Sequence, residues 1–250
     1  HKDINPWNIQ KGVKATEVGG LCDIFCFKID FYLCTHEYPP QNAFTQRLPY
    51  DNAQLVKHIS ILVPESAVLD SITAPRYLFT AVNQFLASAG KPPLFDVRLV
   101  GLTKEIRLHD GLFSVHPDAL IGEVKKTDLV LVPALAGDLG AALERNKDFL
   151  PWIQARHDGG AEVASLCVGA FLLASTGLLD GKKCSTHWLF AHEFRRMFPD
   201  VTLVADKIVT QERRVFTSGG ANSYWNLLLY LVEKYTDRAM AILAAKFFAI

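Results

Sequence analysis

The chain has 250 residues, of which 50% are hydrophobic and 21% are charged, and its 26 basic residues balance its 26 acidic ones. This composition excludes general disorder and allows a large hydrophobic core. A formal charge of zero provides no basic excess for holding a polyanion, so we expect no DNA binding by this chain alone. No run of 18 consecutive apolar residues occurs in the sequence, and we predict no membrane span.

The cysteine pattern and the N-terminal residues indicate the cellular compartment. Five cysteines without framework spacing argue against disulfides and for reducing conditions. His1, Lys2 and Asp3 are not followed by the apolar core of a secretory signal. We therefore predict a cytoplasmic protein, and a chain that begins with His rather than Met is expected to be a fragment or a processed form.

Residues 1–56 differ in pattern from the rest of the chain. Gly20–Cys34 is apolar without a clear helical or strand period, and a polar, proline-bearing stretch follows it. We predict an N-terminal appendage whose order the pattern does not define. A zinc site could be imagined from the spacing of Cys22, Cys26, Cys34 and His36. A Cys-x3-Cys pair without a second matched pair is weak evidence, so we predict neither a metal nor another cofactor.

From Lys57 onward, short β-branched segments alternate with amphipathic ones. The predicted strands are His58–Val63, Phe95–Val100, Asp128–Val132 and Val163–Leu166, with a short edge element at Leu112–Val115. The predicted helices include Arg76–Ala89 and Asn146–His157. This alternation is typical of an α/β fold, a flavodoxin-like doubly wound parallel sheet with helices on both faces. In such sheets, ligands bind beyond the carboxyl ends of the strands.

The chain is organised around the segment AEVASLCVGAFLLAST, Ala161–Thr176. An apolar strand leads into Cys167, and Gly169 opens a short helical stretch, which is the order of a nucleophile elbow carrying a thiol. Backbone amides and the dipole at a helix N-terminus favour a thiolate, so we expect Cys167 to titrate below the free value of about 8.5. We also expect it to be the most acidic of the five thiols. The alternative is that Cys167 is a buried small hydrophobe.

Two loops follow neighbouring strands of the predicted sheet. Glu65 and Asp70 lie after the strand that ends at Val63, and residues 134–137 lie after the strand that ends at Val132. We expect both loops near Cys167, where a carboxyl group could orient the thiol or transfer protons. A backbone amide of the second loop could bind an oxyanion. Asp70 can equally be interpreted as a turn or helix-cap carboxylate.

The segment SLCVGAFLLASTGLLDGKKCSTHW, Ser165–Trp188, resembles the signature of the ThiJ/PfpI superfamily. The resemblance is to the branch shared by isocyanide hydratases and the N-terminal domains of AraC-type transcriptional regulators. It continues through VLDSITAP, DLVLVPALAGDL and FTSGGANSYWNLLLYLVE, and it covers residues 57–250. It implies a glutamine amidotransferase-like domain over that range, acting as a homodimer.

The resemblance also implies roles for individual residues. Cys167, Asp70 and His187 match catalytic positions. Around them we predict the ligand-binding residues Glu65, Ala134, Leu135, Val168, Gly169 and Thr186. The interval from Asp70 to Pro75 has one residue more than the usual Leu-Asp-x-x-Gly-Pro spacing, and Ala74 replaces the glycine.

A second departure concerns the loop after Val132. The chain has Pro133, Ala134 and Leu135 where enzymes of the superfamily carry Pro-Gly-Gly. A side chain there disfavours the backbone conformation that points an amide at an oxyanion. His187 also has an alternative role as a helix cap, as do Thr186 and Ser185. Further along the chain, we predict that Tyr224 and Trp225 belong to a core-facing helix side and not to a ligand box.

Other details favour the regulators. These are the stretch ASAGKPPLFDVRLV, the Gly-Asp-Leu after the Pro133 loop, and the tail Thr236–Ile250. We therefore predict the N-terminal ligand-sensing and dimerisation domain of an AraC-type regulator, which binds a small metabolite near Cys167. A helix-turn-helix domain is expected beyond Ile250 and is absent from this chain. The alternative is a free-standing cysteine enzyme, either an isocyanide hydratase-like lyase or a carbonyl-adduct hydrolase, acting on a small-molecule substrate.

Overall fold

The computed structural model describes residues 56–204, 206–220 and 222–250. The chain divides into two units, 1–52 and 53–250, and the second contains all of the described residues. The predicted appendage and its residues Cys22, Cys26, Cys34 and His36 lie outside the described part of the chain.

Strands and helices alternate along the described residues. The strands are β1 Lys57–Leu62, β2 Phe95–Gly101, β3 Ile106–Leu108, β4 Phe113–Val115, β5 Ala119–Leu120, β6 Leu129–Val132, β7 Glu162–Ser165, β8 Lys183–Cys184, β9 Thr202–Leu203, β10 Val209–Glu212 and β11 Val215–Ser218. The helices are α1 Asp70–Ser88, α2 Leu139–Arg145, α3 Phe149–Asp158, α4 Ala170–Ala174, α5 Ala191–Met197, α6 Tyr224–Tyr235 and α7 Arg238–Phe248. Within this part of the chain, none of the helices combines the length and apolarity needed to cross a bilayer.

A seven-stranded sheet with the order β10-β11-β7-β6-β1-β2-β5 forms the centre. All its pairings are parallel except that of β10 with β11. The inner order β2-β1-β6-β7-β11 is the one found in flavodoxin-like folds. The predicted doubly wound sheet is therefore confirmed, with an antiparallel strand added at one edge. Since β1, β6 and β7 are neighbours, the loops that follow them meet at one edge of the sheet.

The two faces of the sheet support two separate cores. Ile59 and Ile61 of β1 pack under α1, α6 and α7. Leu62, Val130 and Val132 pack under α2, α3, α4 and α5 on the other face. Successive side chains of a strand point to opposite faces, so strands covered on both sides need apolar residues throughout. This requirement accounts for the continuous apolar runs in the sequence.

Helix α1 begins at Asp70 and not at Arg76, the predicted start. Pro75 is the sixth residue of this helix. Its fixed φ fits helical backbone, but it cannot donate the hydrogen bond that a residue at this position would make to the Ser71 carbonyl. Helix α3 begins at Phe149 and not at Asn146. Asn146 caps the end of α2. Its side-chain amide accepts a hydrogen bond from the Glu65 N–H and donates one to the Glu65 carbonyl.

The start of α4 packs directly on the end of β6. A Cβ at Gly169 would lie 2.4 Å from the carbonyl oxygen of Pro133 and 2.6 Å from that of Val132. The φ of Gly169 is −57°, so space and not conformation requires the glycine. We expect Gly169→Ala to lower the free energy of unfolding by about 1–3 kcal/mol, because backbone must move to admit a methyl group. Thermal unfolding monitored by circular dichroism measures the effect.

Gly140→Ala is the matched control. Gly140 lies on the exposed side of α2, and the nearest atom to its added Cβ is a carboxylate oxygen of Asp138 at 3.4 Å. Alanine favours a helix, so this variant should unfold at or above the wild-type temperature. Equal unfolding temperatures for the two variants would contradict the packing argument.

Candidate functional site

Cys167 lies in the sharp turn that joins β7 to α4. Its φ of 53° is in the left-handed region, and a single 3₁₀ turn, Cys167–Gly169, precedes the helix. Since β7 lies between β6 and β11, the turn stands at the carboxyl edge of the sheet. Left-handed backbone is unfavourable for a residue with a Cβ, and such residues cluster at functional sites. The strand, turn and helix expected around Cys167 are present, and its role as a nucleophile stays a prediction.

Side chains from neighbouring segments fix the backbone of this turn. The Cys167 amide donates to the Ser218 hydroxyl at 3.4 Å, at the end of β11. The Thr186 hydroxyl donates to the Cys167 carbonyl at 3.1 Å. All three residues are buried. Thr186, predicted to bind ligand, therefore holds the turn through its side chain.

Burial decides the ionisation of the thiol. Cys167 is 6% exposed, and burial raises its pKa to about 11 although the Val168 amide donates a hydrogen bond that lowers it. The expectation that Cys167 titrates below 8.5 is therefore wrong in this structure. The helix behind it spans only Ala170–Ala174, and its amides do not offset the loss of solvent.

The order of acidity can be compared only for the two described cysteines. Burial raises the pKa of Cys184 to about 12, so Cys167 is the more acidic of this pair. The other three cysteines lie outside the described residues.

Asp70 bonds to Tyr224 and not to the thiol. Asp70 is exposed at the start of α1, and its carboxylate accepts a hydrogen bond from the Tyr224 hydroxyl. Tyr224 begins α6 and is 3% exposed. Burial raises its pKa, and the charge of Asp70 and that of an ionised Cys167 raise it further. The hydroxyl of Tyr224 is therefore within electrostatic reach of both groups.

The interpretation of Tyr224 as a core residue is incomplete. Its ring is buried as predicted, but its hydroxyl belongs to the site. The signal for this is present in the sequence, since Tyr224 follows Gly219 and Gly220 at the end of β11, beside the strand that carries Cys167.

Ser71 occupies one backbone amide of the loop after β6, in which the sequence predicts an oxyanion donor. The Ala134 amide donates to the Ser71 hydroxyl at 3.0 Å, and that hydroxyl donates to the Val68 carbonyl at 2.6 Å. The Val68 amide in turn donates to the Ala134 carbonyl at 2.8 Å. Ser71 is 1% exposed. A ligand oxygen could use the Ala134 amide only by breaking a buried hydrogen bond.

His187 is the N-cap residue of the short turn Trp188–Phe190. Its Nδ1 accepts a hydrogen bond from the Leu189 amide at 3.2 Å, and its ring stacks on Trp188 with centroids 5.7 Å apart. Among the described residues, no hydrogen bond joins this imidazole to the thiol of Cys167. His187 is therefore placed as a helix cap, which is the alternative role named for it from the sequence.

The other predicted ligand-binding residues divide into two groups. Ala134 and Leu135 of the loop after β6 are buried, as are Val168 and Gly169 of the turn itself. Glu65 is exposed and forms an ion pair with Arg145, with Oε2 and Nε 3.4 Å apart.

An open cleft of about 630 Å³ lies on the loops that follow β1 and β6. Residues 65–67 and 136–138 line it together with Arg145 and the turn of the β3–β4 hairpin. The two loops are joined by the hydrogen bond from the Ala136 amide to the Ser66 carbonyl, 2.8 Å long. This volume suits a small metabolite. Cys167 is not among the residues that line the cleft.

We expect alkylation of Cys167 to follow its raised pKa. Because the thiolate is the reactive form, the rate with iodoacetamide should rise about tenfold per pH unit from pH 7 to 10 without reaching a plateau. Peptide mass spectrometry after timed quenching measures the rate at each cysteine. Cys184, which is fully buried, serves as the internal comparison and should react more slowly at every pH.

A plateau of the Cys167 rate below pH 9 would show that the helix amides outweigh burial, contrary to this expectation. A faster reaction at Cys184 would reverse the order of acidity.

Sequence relatives include regulators and an enzyme. The HTH-type transcriptional regulator GbdR of Pseudomonas aeruginosa is 27% identical over 145 residues, which are 58% of this chain and 38% of the regulator. The isonitrile hydratase of Pseudomonas putida is 30% identical over 121 residues, which are 48% of this chain and 51% of the hydratase. The chain thus spans well under two thirds of either relative.

The fold has a counterpart among solved structures. The crystal structure of an AraC family transcriptional regulator from Pseudomonas putida superposes with a TM-score of 0.65 at 17% identity, covering 77% of this chain and 99% of that chain. At this identity the likeness concerns the fold alone. In sequence, residues 79–234, more than half of the chain, match the DJ-1/PfpI family. This match confirms the resemblance found in the motifs, and the chain belongs to the DJ-1/PfpI family.

Proposed function

We propose that this chain is the ligand-sensing and dimerising domain of an AraC-type transcriptional regulator. The similarity to GbdR supports a regulator, and the fold shared with the Pseudomonas putida AraC family regulator is in accord with it. Since the chain spans 38% of GbdR, we place a helix-turn-helix domain after Ile250 in a longer protein. The neutral charge of this chain leaves DNA recognition to that domain.

The observation that carries the proposal is the bond between the Ala134 amide and the Ser71 hydroxyl. Acyl-transfer and related reactions need hydrogen-bond donors aimed at the oxygen on which charge develops, and these donors must be free when the reaction begins. Here one candidate donor of the loop after β6, the Ala134 amide, is already bonded inside the protein. The raised pKa of Cys167 further lowers the fraction of thiolate available for attack. Both features favour recognition over turnover.

We place the metabolite at the carboxyl edge of the sheet, near Cys167. The cleft beside the β1 and β6 loops provides the volume, and Glu65 and Arg145 provide charges of both signs at its wall. The first loop leads into α1, whose second residue is Ser71, and the second loop bears Ala134, so a ligand in the cleft would act on the backbone that lies against the Cys167 turn. The ligand would bind two dimer or interdomain arrangements with different affinities and so shift the equilibrium between them.

The similarity to the isonitrile hydratase favours one alternative function. In that case the Cys167 thiolate would attack an electrophilic carbon, and Asp70 would exchange protons through the Tyr224 hydroxyl to which it is bonded. His187 would have to leave its cap position to take part. The sensing function requires none of these changes.

Turnover assays separate the two functions. We expect the wild-type chain and Cys167→Ser to show no turnover of cyclohexyl isocyanide or methylglyoxal, because the Ala134 amide is occupied and burial raises the pKa of the Cys167 thiol. Product formation is followed by chromatography over hours at high protein concentration. Cys184→Ser is the matched control, since it removes a buried thiol of β8 away from the turn.

Turnover by the wild type and by Cys184→Ser that is lost in Cys167→Ser would contradict the sensing function and establish the enzyme.

A further inference from the structure

Helices α1 and α7 share an exposed apolar surface, which we call the aromatic face. Its centre is formed by Tyr77, Leu243 and Phe247, which are 55%, 45% and 51% exposed. Phe85 and Phe248 complete it, with ring centroids 5.3 Å from Phe247 to Phe85 and 5.1 Å from Tyr77 to Phe248. Single exposed hydrophobic residues are common, but a contiguous group of aromatic rings marks an interaction surface.

A continuous series of rings connects this face to the candidate site. Tyr224, whose hydroxyl bonds to Asp70, stacks on Trp225 with centroids 5.8 Å apart. Trp225 contacts Phe248 at 5.1 Å, and Phe248 contacts Phe247 at 5.0 Å. Helix α1 makes a second connection, since it begins at Asp70 and carries Tyr77 two turns later. A change at Asp70 or Tyr224 can therefore reach the aromatic face through packed side chains.

The backbone turns away from α7 at the edge of the same face. The helix ends at Phe248, and Ala249 takes a left-handed φ of 55°. The Ile250 amide then donates to the Ala245 carbonyl at 3.0 Å, which closes the helix end. A segment that follows Ile250 would begin beside Phe247 and Phe248.

We propose that the aromatic face is the docking surface for the helix-turn-helix domain. The inference rests on the proposed function, which places that domain after Ile250, and it adds where the domain contacts this one. Covalent attachment at the edge of the face gives the following domain an effective concentration in the millimolar range, which a separate partner lacks. GbdR is long enough to contain such a further domain, since this chain spans 38% of it.

The proposed contact explains how binding at one end of the domain changes the state of the other. A ligand in the cleft contacts the loop that leads into α1 at Asp70, and Asp70 bonds to Tyr224. A change in that bond shifts Trp225 and, through it, Phe248 of the aromatic face, on which the docked domain rests. The shift in the docking equilibrium is limited to the difference in ligand affinity between the docked and undocked states.

Cysteine labelling tests the docking surface directly. Tyr77→Cys and Phe247→Cys are made separately in the 250-residue chain and in the full-length gene product, with Leu112→Cys as the matched control. Leu112 is 74% exposed and lies in the β3–β4 hairpin, outside the aromatic face. We expect iodoacetamide to label both face positions at least about tenfold more slowly in the full-length product than in the 250-residue chain, and the control equally in both. Peptide mass spectrometry reads each site, and circular dichroism verifies that each variant is folded.

Three outcomes would overturn the docking surface. Equal labelling of the face positions in both proteins would show that the domain contacts another surface, while DNA binding by the full-length product would leave the proposed function standing. Labelling in the 250-residue chain that slows as concentration rises would identify a second copy as the occupant. Slow labelling of that chain at every concentration would mean that the face is covered within it. A gene that ends at Ile250 would instead remove the proposed function itself.

Discussion

The carboxyl edge of the sheet depends on the hydrogen bonds that join the loop after β6 to the loop after β1 and to the start of α1. Ser71 accepts from the Ala134 amide, and the Val68 amide donates to the Ala134 carbonyl. These bonds hold the Pro133 loop in the place where Gly169 packs, with no room for a Cβ between α4 and β6. Because Gly169 is fixed, the preceding turn must reverse direction within a few residues, and Cys167 takes the left-handed backbone that this requires. The thiol is thus positioned by packing around it as much as by its own segment.

The same packing limits the chemistry of the thiol. Ser218 and Thr186 satisfy the backbone of Cys167, and the surrounding core removes water from the sulfur. Water is the main stabiliser of a thiolate, so its removal raises the pKa even at the start of a helix. Both the buried thiol and the occupied Ala134 amide disfavour nucleophilic attack, which would need the thiol ionised and the amide freed. The relatives include both kinds of protein, which agrees with a common fold that supports recognition or reaction depending on a few loop residues.

Much of the fold follows from the sequence, and much of the site does not. The apolar runs at Val63, Val132 and Leu166 identify strands that are indeed neighbours, because strands buried on both faces need such runs. The pattern misplaces the start of α1, because a proline such as Pro75 commonly marks a helix boundary. That error hides Ser71, whose burial depends on the register of the helix. The predicted lowering of the Cys167 pKa is wrong because it rested on the position of the thiol at a helix start, which local sequence shows. The burial that raises the pKa depends on the whole fold, which local sequence does not show. Tyr224 reaches Asp70 from 154 positions away, and no local pattern contains that contact.

Amide hydrogen exchange at Ala134, measured by nuclear magnetic resonance, most directly tests whether Ser71 occupies that amide. In wild type the Ala134 amide should exchange as slowly as the Val68 amide, which is bonded to the Ala134 carbonyl in the same loop pair. In Ser71→Ala the Ala134 amide should exchange at least about tenfold faster, while the Val68 amide keeps its protection, because only the first loses its acceptor. Fast exchange at Ala134 in the wild type, or the same rate in both proteins, would contradict the conclusion that Ser71 occupies the Ala134 amide.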